Sequence, residues 1–330
     1  MNKNSKNLIK LLNGQRVDKP PFWEVWFCMY DFCGRHFGDY AEIESRIKMA
    51  QELNMAAVYL GGINTNVAFG ASDQASDGTN HYSGGKLTGP EQIKERAEPD
   101  WQENIEKLKA DRQEIKEAGF ACWVTLPWCF HSIATSMGLE NFSYKLVDDF
   151  DFVDKAFEWV ESRNRKAVEK VIAEIKPDFV LFDGDCAYKS GLMISPELFR
   201  KLVFDKTKKT VSLLKELDIP YTFHTDGKLD EVIPVLIELG FSAVHGCEKA
   251  ANDLGHLVET FGDDIVLVGN MDVVFISQAT PQQIKEETQS MLETGSKKGK
   301  FIAACNTSPQ DYIPDENYLA FCQAIDSFIG

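Results

Sequence analysis

Three side chains that can hold a transition metal stand at the ends of short apolar runs. His224 follows IPYTF, Glu248 closes HGCE after FSAV, and Cys305 follows KFIAA. An imidazole, a carboxylate and a thiolate with a fourth position open make the donor set of a catalytic zinc site. Zinc held in this way deprotonates a thiol or activates an oxygen. The three side chains converge only if their runs lie side by side as parallel strands with the donors on one rim.

The surrounding sequence supplies such strands. Apolar runs at 20–27, 56–62, 120–127, 177–185, 219–224, 241–245, 264–270 and 300–304 read as strands. Helical patterns alternate with them, at 3–13, 41–53, 101–117, 129–175, 195–217, 228–239, 252–261, 280–294 and 315–328. Ser195 and Pro196 suit the cap and first position of a helix. Eight strands alternating with helices predict an α/β fold of the (β/α)8 TIM-barrel type. A doubly wound open sheet is the rival, but no Gly-rich phosphate loop follows the first strand. Nothing in the chain reads as a linker, so the expectation is one barrel domain over 1–330, with an N-terminal helical extension. The polar segment from Ile63 to Pro90 is too long for an ordinary connection and reads as an active-site loop, a hairpin excursion or both.

In a barrel, chemistry sits on the loops after the strands' carboxyl ends. Those positions carry Asp183 and Asp185, His224 and Asp226, Glu248, Asn270 and Asp272, and Cys305 and Asn306. Asp183, Asp185 and Asn270 are the catalytic candidates, as acid, base or positioning groups, and capping of the next loop is an equal reading for the two aspartates. Trp26 and Tyr30 after the first strand, and Trp128 and His131 after the third, are candidates for lining a substrate pocket. For the tryptophans a core role, and for His131 a structural one, weigh at least as much. His81 in the long segment is a minor lid candidate, and His245 and His256 read as structural.

Composition excludes several classes. The chain has 330 residues and a formal net charge of −16, which disfavours nucleic acid and anionic membranes as partners. No apolar run approaches the ~20 residues of a membrane span, and the amphipathic N-terminus lacks the core of a signal peptide. The eight cysteines form no C-x-x-C pair and read as reduced thiols of a cytoplasmic protein.

The stretches FHTDGKLDEVIPVLIELGFSAVHGCEKA, LVGNMDVVFISQATPQQIKEE, LFDGDCAYKSGLMISPELFRKLV and IPDENYLAFCQAI resemble the uroporphyrinogen decarboxylase superfamily over about residues 177–328. The resemblance implies a barrel with one of two chemistries: porphyrinogen decarboxylation, or zinc-dependent methyl transfer to or from a corrinoid protein. The decarboxylases carry an Arg-rich N-terminal motif for substrate carboxylates, whereas FWEVWFCMYDFCGRHFGDY has Arg35 alone. The zinc methyltransferases and the related cobalamin-independent methionine synthases place ligands as His-x-Cys, a Glu in the latter and a later Cys. Glu248 and Cys305, 24 and 81 residues after His224, match that spacing. Asp226 replaces the first Cys; it reads as a further ligand, a group that orients His224 or a substrate contact, and Cys247 competes with Glu248 for the metal.

The resemblance therefore implies a zinc-dependent methyltransferase that uses a corrinoid carried by a separate protein, since no D-x-H-x-x-G stretch is present here. Its small-molecule donor or acceptor would be a methoxylated aromatic, methanol, a methylamine, tetrahydrofolate or a thiol. A metal-free lyase and a non-catalytic binding subunit are the alternatives, and monomer and homodimer both stay open.

Overall fold

The computed structural model describes residues 1–74 and 80–329, and the side chains of residues 71–81 lie outside that description. Seven strands form one parallel sheet in chain order: β1 (Ala57–Gly62), β2 (Ala121–Pro127), β3 (Phe179–Asp183), β4 (Tyr221–His224), β5 (Ala243–His245), β6 (Val266–Met271) and β7 (Phe301–Cys305). Each falls within a few residues of its sequence-based position. The eighth expected strand, 20–27, is reduced to a closing segment. Trp23 N donates to Ala303 O at 3.0 Å and Ala303 N to Pro21 O at 2.9 Å, while Ala56 N donates to Phe22 O at 2.7 Å. The segment thus joins β7 to the entry of β1 and closes the barrel. Pro20 and Pro21 carry no amide hydrogen, so a longer ladder cannot form there.

Side chains alternate across the barrel wall. Trp23, Ala57, Ala121, Trp123, Phe179, Leu181, Ala243, Val266, Val268, Ile302 and Ala304 share the interior cluster. Val58, Val124, Val180, Phe182, Phe223, Val244, Leu267, Phe301, Ala303 and Cys305 belong to the cluster between strands and helices. Helix Lys3–Leu12, capped by Asn2 accepting from Ser5 N, adds Leu8, Leu11 and Leu12 to the interior cluster. Ser5 Oγ donates to Ala56 O at 2.7 Å and accepts from Ala121 N at 3.2 Å, fixing that helix beneath the starts of β1 and β2.

The long segment after β1 contains an antiparallel hairpin, Gly70–Gln74 with Asn80–Gly85. It is therefore a hairpin excursion, and the His81 side chain lies outside the described residues. Short helices at Tyr30–His36, Pro90–Glu95 and Val273–Gln278 add to the expected pattern. No helix among the described residues is long and apolar enough to cross a membrane.

Candidate metal centre

β3 and β4 are paired with Asp183 opposite His224, and β4 and β5 with His224 opposite His245. All three therefore stand at the carboxyl end of the wall. The chain leaves β3 through Gly184, whose φ of +158° accompanies a close approach: a Cβ there would lie 2.5 Å from His131 Cβ. That turn brings Asp185 back over the mouth. Asp226 N donates to Asp185 Oδ1 at 3.0 Å, and Asp185 N donates to His131 Nδ1 at 3.2 Å. As a result, ligand atoms of Asp185, His224 and Asp226 all lie within 4.8 Å of one another.

The electrostatics suit a cation. Burial pushes the Asp226 carboxyl up to about 7, helped by the charges of Asp185 and Glu248. Asp226 Oδ1 is buried and has no hydrogen-bond partner among the described residues, and a bare buried carboxylate oxygen is costly unless a cation or donor meets it. Burial raises the Asp183 carboxyl too, opposed by His224 and assisted by Asp185 and Asp226. Burial lowers the His224 imidazole, against the pull of Asp183 and Asp185. A neutral imidazole with two carboxylates is a donor set that fits zinc and is harder than one containing thiolate.

This is not the set read from the sequence. Cys305 is on the outward parity of β7: its amide donates to Glu24 Oε2 at 3.1 Å, and its thiol is raised by burial and by Glu24. It faces the helix layer, away from His224. Glu248 accepts from Gly227 N at 3.2 Å and acts on Asp226 through its charge, but it is not in the mutually close group. Asp185 and Asp226 are the groups that the fold brings to His224. Cys247 is fully buried in the outer cluster, its thiol raised to about 12 by burial.

The pocket candidates divide in the same way. Trp26 stands edge-on to His224, ring centroids 6.3 Å apart, and continues into Tyr59 and Trp123 as an aromatic wall. His131 supports the Asp185 loop as described. Trp128 is fully buried against Phe199 and Phe223, with Nε1 donating to Thr207 Oγ1 at 3.1 Å, so it is a core anchor rather than a pocket wall. Tyr30 is exposed and packs on Tyr40, within electrostatic reach of Tyr59. Asn270 is buried but lines a separate cleft with Lys249, Glu287 and Met291, its Oδ1 without a partner among the described residues. Asp183 instead opens onto a cleft of about 340 Å³ formed with Asn64, Asn66, Arg96 and Thr125. Sequence reasoning missed that cleft, the Tyr59 wall and His245. His245 sits within hydrogen-bond distance of His224 and could have been found from its shared strand-end position in YTFH and SAVH.

The fold and mouth together define a TIM-type (β/α)8 barrel of the uroporphyrinogen decarboxylase type, with its polar groups gathered at the strands' carboxyl ends. The uroporphyrinogen decarboxylase (URO-D) family model matches residues 86–328, and the chain belongs to that family. Among solved structures it resembles a methyltransferase from Methanosarcina mazei, with 18% identity, 99% of each chain covered and a TM-score of 0.78. It also resembles a B12-independent methionine synthase from Shewanella sp. W3-18-1 in complex with selenomethionine, with 12% identity, 94% of each chain covered and a TM-score of 0.54. Likeness at these identities concerns the fold. A search of curated protein sequences gives no match.

Proposed function

We propose that the protein is a zinc-dependent methyltransferase moving a methyl group between a small donor or acceptor and a corrinoid carried by a partner protein. The observation that carries this reading is the convergence of Asp185, His224 and Asp226 within 4.8 Å at the barrel mouth. His224, Asp185 and Asp226 would hold the ion. When bound, zinc supplies Lewis acidity to the heteroatom that bears the methyl group. The rest falls to the chain. Trp26 and Tyr59 offer an apolar wall beside His224 that orients the small molecule and excludes water. Asp183, whose carboxyl burial raises above its ordinary value, stands opposite His224 where it can exchange a proton with the leaving or entering atom. The absence of a thiolate from the cluster favours an oxygen- or nitrogen-linked methyl group over a thioether. In this reading the corrinoid arrives on another protein, as the resemblance to the corrinoid methyltransferases implies.

The test is elemental analysis of protein purified without chelator, followed by incubation with reduced cobalamin and, in turn, a methoxylated aromatic, methanol and a methylamine. About one zinc per chain, retained in Cys305→Ser and lost in Asp226→Ala, together with methylcobalamin formation from one donor class, supports the reading. A wild-type protein that takes up no zinc when it is added back overturns it.

A further inference from the structure

His224 Nδ1 lies 2.7 Å from His245 Nδ1, and His245 Nε2 lies 3.0 Å from the carbonyl oxygen of Cys305. Both rings are buried, and they lie side by side because His224 and His245 are register partners on β4 and β5. Hydrogen-bond chemistry orders the protons along this line. A carbonyl oxygen only accepts, so His245 Nε2 must carry the hydrogen that meets Cys305. A neutral imidazole has one N–H, so His245 Nδ1 is then a bare acceptor. His224 Nδ1 must therefore be the donor across the 2.7 Å contact. Its own single hydrogen being spent there, His224 Nε2 is left with a free lone pair. Among the described residues Nε2 has no hydrogen-bond partner, and it is the nitrogen left to join Asp185 and Asp226. Both rings are buried, and the two contacts of His245 are to an imidazole and a carbonyl rather than to a carboxylate, so a charged ring here would go uncompensated and the neutral pair is the favoured form.

We propose that His245 is a positioning residue: by relaying the Cys305 carbonyl to His224, it fixes His224 as the Nδ1–H tautomer with Nε2 aimed at the cation site. Most metal-bound histidines are oriented by a carboxylate or a backbone carbonyl acting directly; here a second histidine spans the gap between the wall of β7 and the ligand on β4. This deepens the methyltransferase reading and, for its metal consequence, rests on it.

The tautomer itself is tested without metal. Long-range proton–nitrogen correlation spectra of 15N-histidine-labelled, metal-free protein should show His224 protonated at Nδ1 and His245 at Nε2. In His245→Leu the fixed tautomer should give way to a population carrying Nε2–H. Zinc affinity, measured by competition with a chromophoric chelator, should fall tenfold to a hundredfold in His245→Leu, the range for loss of a group supporting a ligand. It should recover most of the way in His245→Gln, whose amide can accept from His224 and donate to Cys305. His224 found with Nε2–H in the wild type overturns the inference, as does a His245→Leu protein that binds zinc as tightly as the wild type. If His245→Leu fails to fold, the wild-type tautomer and the affinity of His245→Gln decide. A wild-type protein that binds no zinc sinks the methyltransferase reading but leaves the tautomer result standing on its own.

Discussion

Two clusters of ionisable groups, one partly and one fully buried, lie near the carboxyl end of the barrel, on opposite faces of its wall. Around β3, β4 and β5, Asp183, Asp185, His224, Asp226 and His245 converge at the mouth, with one carboxylate oxygen unpartnered among the described residues. Around β7, Glu24, Cys305, Tyr318 and Cys322 are sealed between the wall and helix Asp315–Ser327. Glu24 is internally satisfied: it accepts from Cys305 N at 3.1 Å and from Tyr318 Oη at 3.3 Å. Both clusters hold residue types that bind metals. They differ in side-chain parity, and parity decides whether such a group meets substrate or only its neighbours.

The largest expected effect tests that division directly. Removing a donor from the mouth, as in His224→Ala or Asp226→Ala, should lower zinc affinity by about 3 kcal/mol, a hundredfold or more, given ~10 kcal/mol or more for a complete zinc site. Cys305→Ser should leave zinc affinity within about twofold and register instead as at most a modest change in thermal stability, because the smaller hydroxyl replaces a fully buried thiol that lies against Glu24. Competition titrations on the three variants check this. Equal losses of zinc from Cys305→Ser and His224→Ala would erase the distinction between the two faces and restore the sequence-derived ligand set.

Next in size is a pH effect of the sealed cluster, which runs alongside one from Asp226 at the mouth, whose carboxyl burial also raises to about 7. Burial pushes Glu24 up to about 7, against the hydrogen bonds from Cys305 and Tyr318. The unfolded chain ionises this group near 4.5, so between there and about 7 the unfolded state has released a proton that the folded state still holds. Stability from this residue is therefore full below the unfolded value, falls as pH rises through that window, and levels off above it. The loss is on the order of 3 kcal/mol. Glu24→Gln keeps an acceptor for Cys305 N and should flatten this part of the profile in denaturant melts between pH 4.5 and 7.5. An unchanged slope in Glu24→Gln would show that Glu24 is ionised in the folded state and that the cluster is wetter than its geometry indicates.

The comparison also explains what was readable in the sequence. Strand positions were legible because the apolar runs are short, regularly spaced and bounded by turns, and seven of them became ladder strands. Parity was legible only where a run alternates clearly. In WEV it does so: Trp23 and Val25 turn inward, and a charge at Glu24 between them marks the outward face, while Trp26, next to Val25, also packs on the inner cluster and ends the alternation. In FIAAC, small apolar residues fill both faces, so nothing local reports that Cys305 points outward while Ala304 points in. Linear spacing from His224 matched a ligand pattern without carrying that information. Asp185 and Asp226 were named as strand-end residues, but their meeting depends on the Gly184 turn and the Asp226 N to Asp185 bond, which are tertiary. The two readings of Trp128, core and pocket wall, stayed open in the sequence for a similar reason, since the residue after a strand lies at the mouth only if its side chain does not first find a slot in the helix layer.

The smallest expected effects come from the two tryptophans, one on each side of the wall. Trp128→Phe keeps the ring against Phe199 and Phe223 but deletes the Nε1 bond to Thr207, whose hydroxyl still donates to Glu161 at 3.1 Å. Because the remaining partner stays satisfied, the cost should be about 1 kcal/mol of stability, with zinc affinity and methyl transfer unchanged. Trp26→Phe should do the reverse. Its edge contact with His224 is one partly exposed aromatic pair, of the kind worth about 0.5–1.5 kcal/mol, so the melting temperature should barely move while the KM for an aromatic donor rises severalfold. Parallel melts and steady-state kinetics on the two variants read both outcomes. If Trp128→Phe raised KM and Trp26→Phe did not, the small molecule would bind between barrel and helices rather than over the mouth, and the metal cluster would lose its claim to be where the methyl group is handled.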